Sequence, residues 1–155
     1  MENLAKKSCA DRKIRVDLCG QAVEYAFYDC EDGTETVYFA NVAWNDPTTV
    51  PKVVISTDTV LATLPVPLGT VGILRRFGDL LTYTCDQTTE VLSVERRDSG
   101  IFVTVQGEDQ MDFRLITPVS LKADVEGMIS CGKSLLHIQI PGNGLTKMCF
   151  SERRE

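Results

Sequence analysis

Along most of its length the chain alternates apolar and polar residues with period two, and that pattern restricts the fold more than any other feature. Ile14, Val16 and Leu18 fall on one side of an extended segment, with Arg15 and Asp17 on the other. Val23, Tyr25 and Phe27 repeat the pattern. Val37, Phe39 and Asn41 oppose Tyr38, Ala40 and Val42; Leu81, Tyr83 and Cys85 oppose Thr82 and Thr84; Ile101, Val103 and Val105 oppose Phe102 and Thr104. Leu136, Ile138 and Ile140 alternate with His137 and Gln139. Successive strand side chains point to opposite faces, so alternation rich in Val, Ile, Thr, Tyr and Phe marks half-buried strands.

Turn residues punctuate these runs: Gly20, Asp32-Gly33, Asn45-Asp46-Pro47, Pro65 to Gly69, Phe77-Gly78-Asp79, Asp98-Ser99-Gly100, Gly107 and Pro141 to Gly144. Strands separated by turns at about 8–12 residues point to an all-β sandwich or barrel. The expectation is a single antiparallel domain of about ten to twelve short strands. Only residues 2–11 could form a helix, a short one without an apolar stripe. With 155 residues, folding buries roughly 70% of the unfolded chain's surface, so no metal or disulfide is needed for a core. The segment Asn45 to Pro51 carries two prolines and reads as a crossover within this one domain rather than a boundary.

Charge narrows the partners. Sixteen Lys and Arg against 22 Asp and Glu leave a net −6, which repels a phosphate backbone and argues against nucleic acid. Residues 1–15 sum to +3 and residues 16–155 to −9, so the chain divides into a basic N-terminal arm and an acidic β domain. Such an arm suits docking on an acidic partner or a second copy. The longest apolar run is only four residues, so a membrane span is not expected. The N-terminal residues lack the apolar stretch of a secretory signal. The expected compartment is therefore the cytoplasm, or a virion for a viral chain, with all six cysteines as free thiols. No Cys-x-x-Cys pair occurs and His137 is the only histidine, so neither a metal site nor a cofactor is expected.

Several constellations invite a chemical reading. Gly127-Met128-Ile129-Ser130-Cys131-Gly132-Lys133-Ser134 fits the phosphate-binding pattern G-x-x-x-x-G-K-S. In such a loop Gly127 and Gly132 let the backbone wrap a phosphate, Lys133 reaches it and Ser134 holds a metal ion. That chemistry needs a buried strand before the loop and a helix after it. Here the preceding residues are charged and Leu135 to Ile140 alternates with period two, so a hairpin turn is the expectation and phosphate binding the alternative. His137 could serve Cys131 or Ser134 as a base, yet its place on the polar face of a strand reads as an exposed histidine. The acidic run Asp29 to Glu35 lacks the spacing of a calcium loop and reads as a solvated hairpin tip. Glu108, Asp109 and Asp112 read as a second acidic tip. Paired arginines at 75–76, 96–97 and 153–154 split between opposite strand faces and build no basic stripe.

No catalytic constellation emerges. The leading expectation is a non-enzymatic interaction or structural assembly module, of the kind used in viral particles and tails, that binds copies of itself or a protein partner. A phosphate or nucleotide binder, and a small acidic adaptor or inhibitor of a basic partner, are the alternatives.

Overall fold

A computed structural model describes residues 13–18, 23–29, 34–41, 50–67, 69–85, 88–97, 100–118, 128–130 and 135–151. They contain thirteen strands: β1 (Arg15–Asp17), β2 (Val23–Asp29), β3 (Glu35–Asn41), β4 (Lys52–Ser56), β5 (Leu61–Pro65), β6 (Val71–Phe77), β7 (Leu80–Thr84), β8 (Thr89–Arg97), β9 (Gly100–Gly107), β10 (Gln110–Ile116), β11 (Met128–Ser130), β12 (Leu135–Pro141) and β13 (Gly144–Phe150). No helix occurs among the described residues, and none there is long and apolar enough to cross a membrane. The segment 2–11, the one candidate helix, lies outside them, as do residues 45–49 of the expected crossover.

The strands form three antiparallel sheets. A central sheet of seven has the order β11-β12-β10-β7-β6-β3-β2, and two outer sheets of three have the orders β1-β4-β5 and β13-β9-β8. No sheet closes on itself among these residues, which places the fold with sandwiches rather than barrels. Tight turns set several registers. Phe77 pairs with Leu80 across a two-residue loop in which Gly78 takes φ of 68°, a conformation that a glycine adopts without steric cost. Asp109 adopts φ of 67° in the β9–β10 loop, a left-handed position that Asp tolerates better than most residues.

Register assigns each side chain to a face. Val37 pairs with Leu74, Leu74 with Tyr83, and Tyr83 with Arg114, so these side chains share one face of the central sheet. On that face Val37, Phe39, Leu74, Leu81 and Tyr83 pack with Ile14, Val53, Ile55, Ala62 and Leu64 from the β1-β4-β5 side, forming a first core. The opposite face carries Leu80, Met111, Phe113, Leu115, Leu136 and Ile138, which pack with Val91, Val94, Ile101, Val103, Val105, Met148 and Phe150 of β8, β9 and β13. The outer sheets thus cover opposite faces of the central one and are staggered along it.

The stagger explains a departure from the alternation. Thr82 and Thr84 read as solvent-facing, yet every residue of β7 is buried, the two threonines at 2% and 7% exposure. β7 is the middle strand of seven, where the coverings of the two faces meet. The basic arm is likewise shorter than its charge suggests. Ile14 is buried in the first core, the amides of Lys13 and Ile14 donate to Glu35, and Arg15 begins β1. The apolar side chain of Ile14 draws this end of the segment into the fold.

Candidate functional site

Several charged and polar residues take places that sequence did not assign them. Glu35, read as part of a solvated acidic tip, is 3% exposed; it accepts hydrogen bonds from the amides of Lys13 (3.1 Å) and Ile14 (3.2 Å) and from Arg76 Nε at 3.0 Å. It is a structural anchor, because a buried carboxylate persists only when its oxygens are matched by donors. Residues 30–33 of the same run lie outside the described residues. Asp112, read as part of the second tip, is inside β10, and only Glu108 and Asp109 form the turn. His137 is not a free exposed histidine. Its Nε2 lies 2.6 Å from Asp112 Oδ1 and both side chains are half-buried, since Asp112 sits diagonally across the β10–β12 ladder from it.

Cys85 follows β7 on the same face as Tyr83. Its thiol donates to Tyr83 Oη at 3.1 Å, and the Tyr83 hydroxyl donates to the Pro65 carbonyl at 2.6 Å. Burial pushes the Cys85 thiol above its ordinary range, with the Tyr83 hydrogen bond opposing in part. A nucleophilic cysteine needs the reverse, a stabilised thiolate. Cys85 and Cys149 are free thiols; the other four cysteines lie outside the described residues. No group of three His, Cys, Asp or Glu side chains among the described residues could hold a metal. Gly127, Gly132, Lys133 and Ser134, the phosphate-loop residues, lie outside the described residues as well. Within that motif Met128–Ser130 form strand β11, and Leu135–Pro141 after it form strand β12 instead of a helix.

Among the described residues the stagger leaves no strand over β2, β3 and the start of β6 on the side away from the first core. There Tyr28 is 59% exposed, Tyr38 37% and Val71 42%, beside the exposed Ala26. β2 borders this area, and among the described residues it has β3 on one side and no strand on the other. The remaining edges are blunted. β1 and β11 are three residues long, β5 ends in Pro65, and β8 is bulged between Val91 and Ser93 and carries exposed Glu90, Glu95, Arg96 and Arg97. β13 has an exposed lysine, Lys147, at its midpoint. Charge, proline, brevity and bulges are the devices that stop an edge from pairing. β2 has a small residue, Ala26, at its midpoint.

Between the bare area and β8 lies a cleft of about 320 Å³ lined by Tyr38, Ile73, Arg75, Thr82, Thr84, Thr89, Glu90 and Val91. The Arg75 guanidinium bonds the Val91 carbonyl through Nη1 at 3.2 Å, while its Nε is enclosed without a partner. Sequence reasoning placed Arg75 and Arg76 on opposite faces, and so they are. Nothing in the sequence brought Tyr38 and Glu90 to the same place, because they come from different sheets.

Comparison of the chain with protein-family models, with curated proteins and with solved structures gives no match.

Proposed function

We propose that this chain is a non-enzymatic assembly module that joins a second copy through β2, extending the central sheet across the junction. The observation that carries this reading is the contrast among the sheet edges: β2 is seven residues long, regular and centred on Ala26, whereas each other edge is short, bulged, closed by proline or centred on a lysine. An edge strand presents unpaired main-chain groups, and pairing two such edges satisfies both at once. Twofold symmetry makes the contact self-complementary and closed. Antiparallel pairing centred on Ala26 sets Glu24 of one copy against Tyr28 of the other, so no like charges oppose one another. The same operation on β13 would set Lys147 against Lys147.

Light scattering coupled to size exclusion tests this. The chain should elute as a dimer, and Ala26→Lys should convert it to a monomer with an unchanged β circular-dichroism spectrum, because the substituted position is exposed. Lys147→Ala should leave the dimer intact. A wild-type chain that stays monomeric at high micromolar concentration overturns the proposal and favours a monomeric adaptor.

A further inference from the structure

The two adjacent arginines of β6 are in opposite chemical states. Arg76 is matched: its Nε bonds the buried Glu35 carboxylate and its Nη1 the Gly78 carbonyl at 2.8 Å. Among the described residues Arg75, on the other face, has no carboxylate partner. Among the described residues one backbone carbonyl is all that it bonds, and its enclosed Nε has no partner. Buried donors in folded proteins are almost always matched, so an unmatched one beside an open cleft marks a group held for another purpose. Glu90 lines the same cleft from β8, yet no ion pair joins it to Arg75. Two opposite charges therefore face one space without neutralising each other.

The rest of the lining narrows the ligand. Tyr38 offers a ring at the mouth, Ile73 and Val91 an apolar wall, and the buried Thr82, Thr84 and Thr89 stand along the floor. Small-molecule sites run from about 300 to 1,000 Å³, so this cleft is at the small end and suits one ring-sized molecule. A planar guanidinium favours a carboxylate, which it can hold with two parallel hydrogen bonds. A carboxylate alone would leave Glu90 unanswered and repelling. Hydroxyl groups answer it, since each can donate to Glu90 and accept from its neighbours. An aromatic ring at the rim suits the C–H face of a sugar ring.

We propose that the Arg75 cleft binds a hydroxylated carboxylate of monosaccharide size, the class of the uronic and sialic acids. Arg75 turns toward the cleft so that its Nε–Nη edge takes the carboxylate, Glu90 accepts from ring hydroxyls, and Tyr38 covers the ring. The site is independent of the β2 edge, so dimerisation and ligand binding can fail separately.

The test is ligand-observed NMR and calorimetric titration of the full chain with glucuronate, N-acetylneuraminate, glucose and inorganic phosphate. One or both acidic sugars should bind saturably, glucose and phosphate at least about tenfold more weakly, because a hydrogen bond to a charged group carries that much discrimination. The two acids distinguish a six-carbon from a nine-carbon ligand within the class. Arg75→Gln should weaken the acidic sugar about tenfold or more. Glu90→Gln and Tyr38→Ala, both at exposed positions, should each weaken it measurably, and they decide the matter if Arg75→Gln does not fold. Failure of both acidic sugars to bind overturns the proposal; so does equal binding of glucose or phosphate, or affinity unchanged in the variants.

Discussion

The two outer sheets hold to the central sheet by different means. Beneath β1-β4-β5 the apolar core is crossed by hydrogen bonds that run from one layer to the other. Glu35 of β3 takes the amides leading into β1, Asn41 of β3 donates to the Val66 carbonyl after β5 at 2.9 Å, and Tyr83 of β7 donates to Pro65 of β5. Beneath β8-β9-β13 the core cluster is apolar, and among the described residues the polar crossings stand at its margin, with Thr89 accepting from the Asp112 amide and Arg75 donating to the Val91 carbonyl. Connectivity accounts for the difference. The second sheet is tied to the central one by tight turns at Glu108–Asp109 and at Gly142–Asn143, so its register follows from the chain. The first is joined through longer segments, and directional bonds supply the alignment that turns do not. Apolar packing is non-directional, whereas a buried hydrogen bond is satisfied in only one position.

This contrast can be broken by substitution. The largest effect belongs to the apolar core. Phe113→Ala removes a fully buried ring and should cost about 3–5 kcal/mol in urea unfolding. In the first core, Glu35→Ala strands two amides and the Arg76 guanidinium. The cost should be about 3 kcal/mol, near the low end for a broken buried pair because Arg76 keeps 23% exposure. If Glu35→Ala costs less than about 1 kcal/mol, the polar crossings do not align the first sheet and the contrast fails.

Tyr83→Phe should cost less, about 1 kcal/mol, because the Cys85 thiol also reaches the Pro65 carbonyl, at 3.5 Å, and leaves it partly satisfied. A loss as large as that of Phe113→Ala would mean that the hydroxyl, rather than the ring, holds the layers together. Smallest at neutral pH is the effect of the buried acids. Burial raises Tyr83 and Cys85 above their ordinary values, so the unfolded chain releases both protons first on alkalinisation. Their neutral forms thus add stability that is complete below the unfolded cysteine's titration and declines as pH rises through and beyond it. Urea midpoints between pH 7 and pH 10.5 should fall, and fall less in Tyr83→Phe. Peptide mapping after iodoacetamide treatment should find Cys149, exposed on β13, modified well before Cys85; equal rates would show that the first core opens freely.

How much of this was legible in the sequence depends on range. Strands such as β9 were plain, because Ile101, Val103 and Val105 are buried and the residues between them are not. The separation of Arg75 from Arg76 followed from strand geometry alone. What sequence did not disclose is what lies above each face. Thr82 looked solvent-facing because alternation reports one buried side and cannot report a second covering layer. The His137–Asp112 contact depends on a register between segments 25 residues apart, and burial of Glu35 depends on where the chain near Ile14 returns. The cleft required the central sheet and the β13-β9-β8 sheet to be in place. The phosphate-loop match shows the opposite limit: a short pattern is satisfied locally, whatever follows it, and here strand β12 follows where that chemistry needs a helix.

β7 has one more consequence. Leu81 and Tyr83 belong to one core, Leu80 to the other, and the strand is hydrogen-bonded on both edges, to β6 and β10. Two staggered halves would ordinarily open as separate units, each with its own free energy. Here neither can be lost without unpacking a strand on which the other is built. Opening should therefore be all-or-none, and the β7 amides should exchange with solvent deuterium only through global unfolding, more slowly than those of β1 or β13 at the periphery. The central strand makes a layered molecule melt as one body.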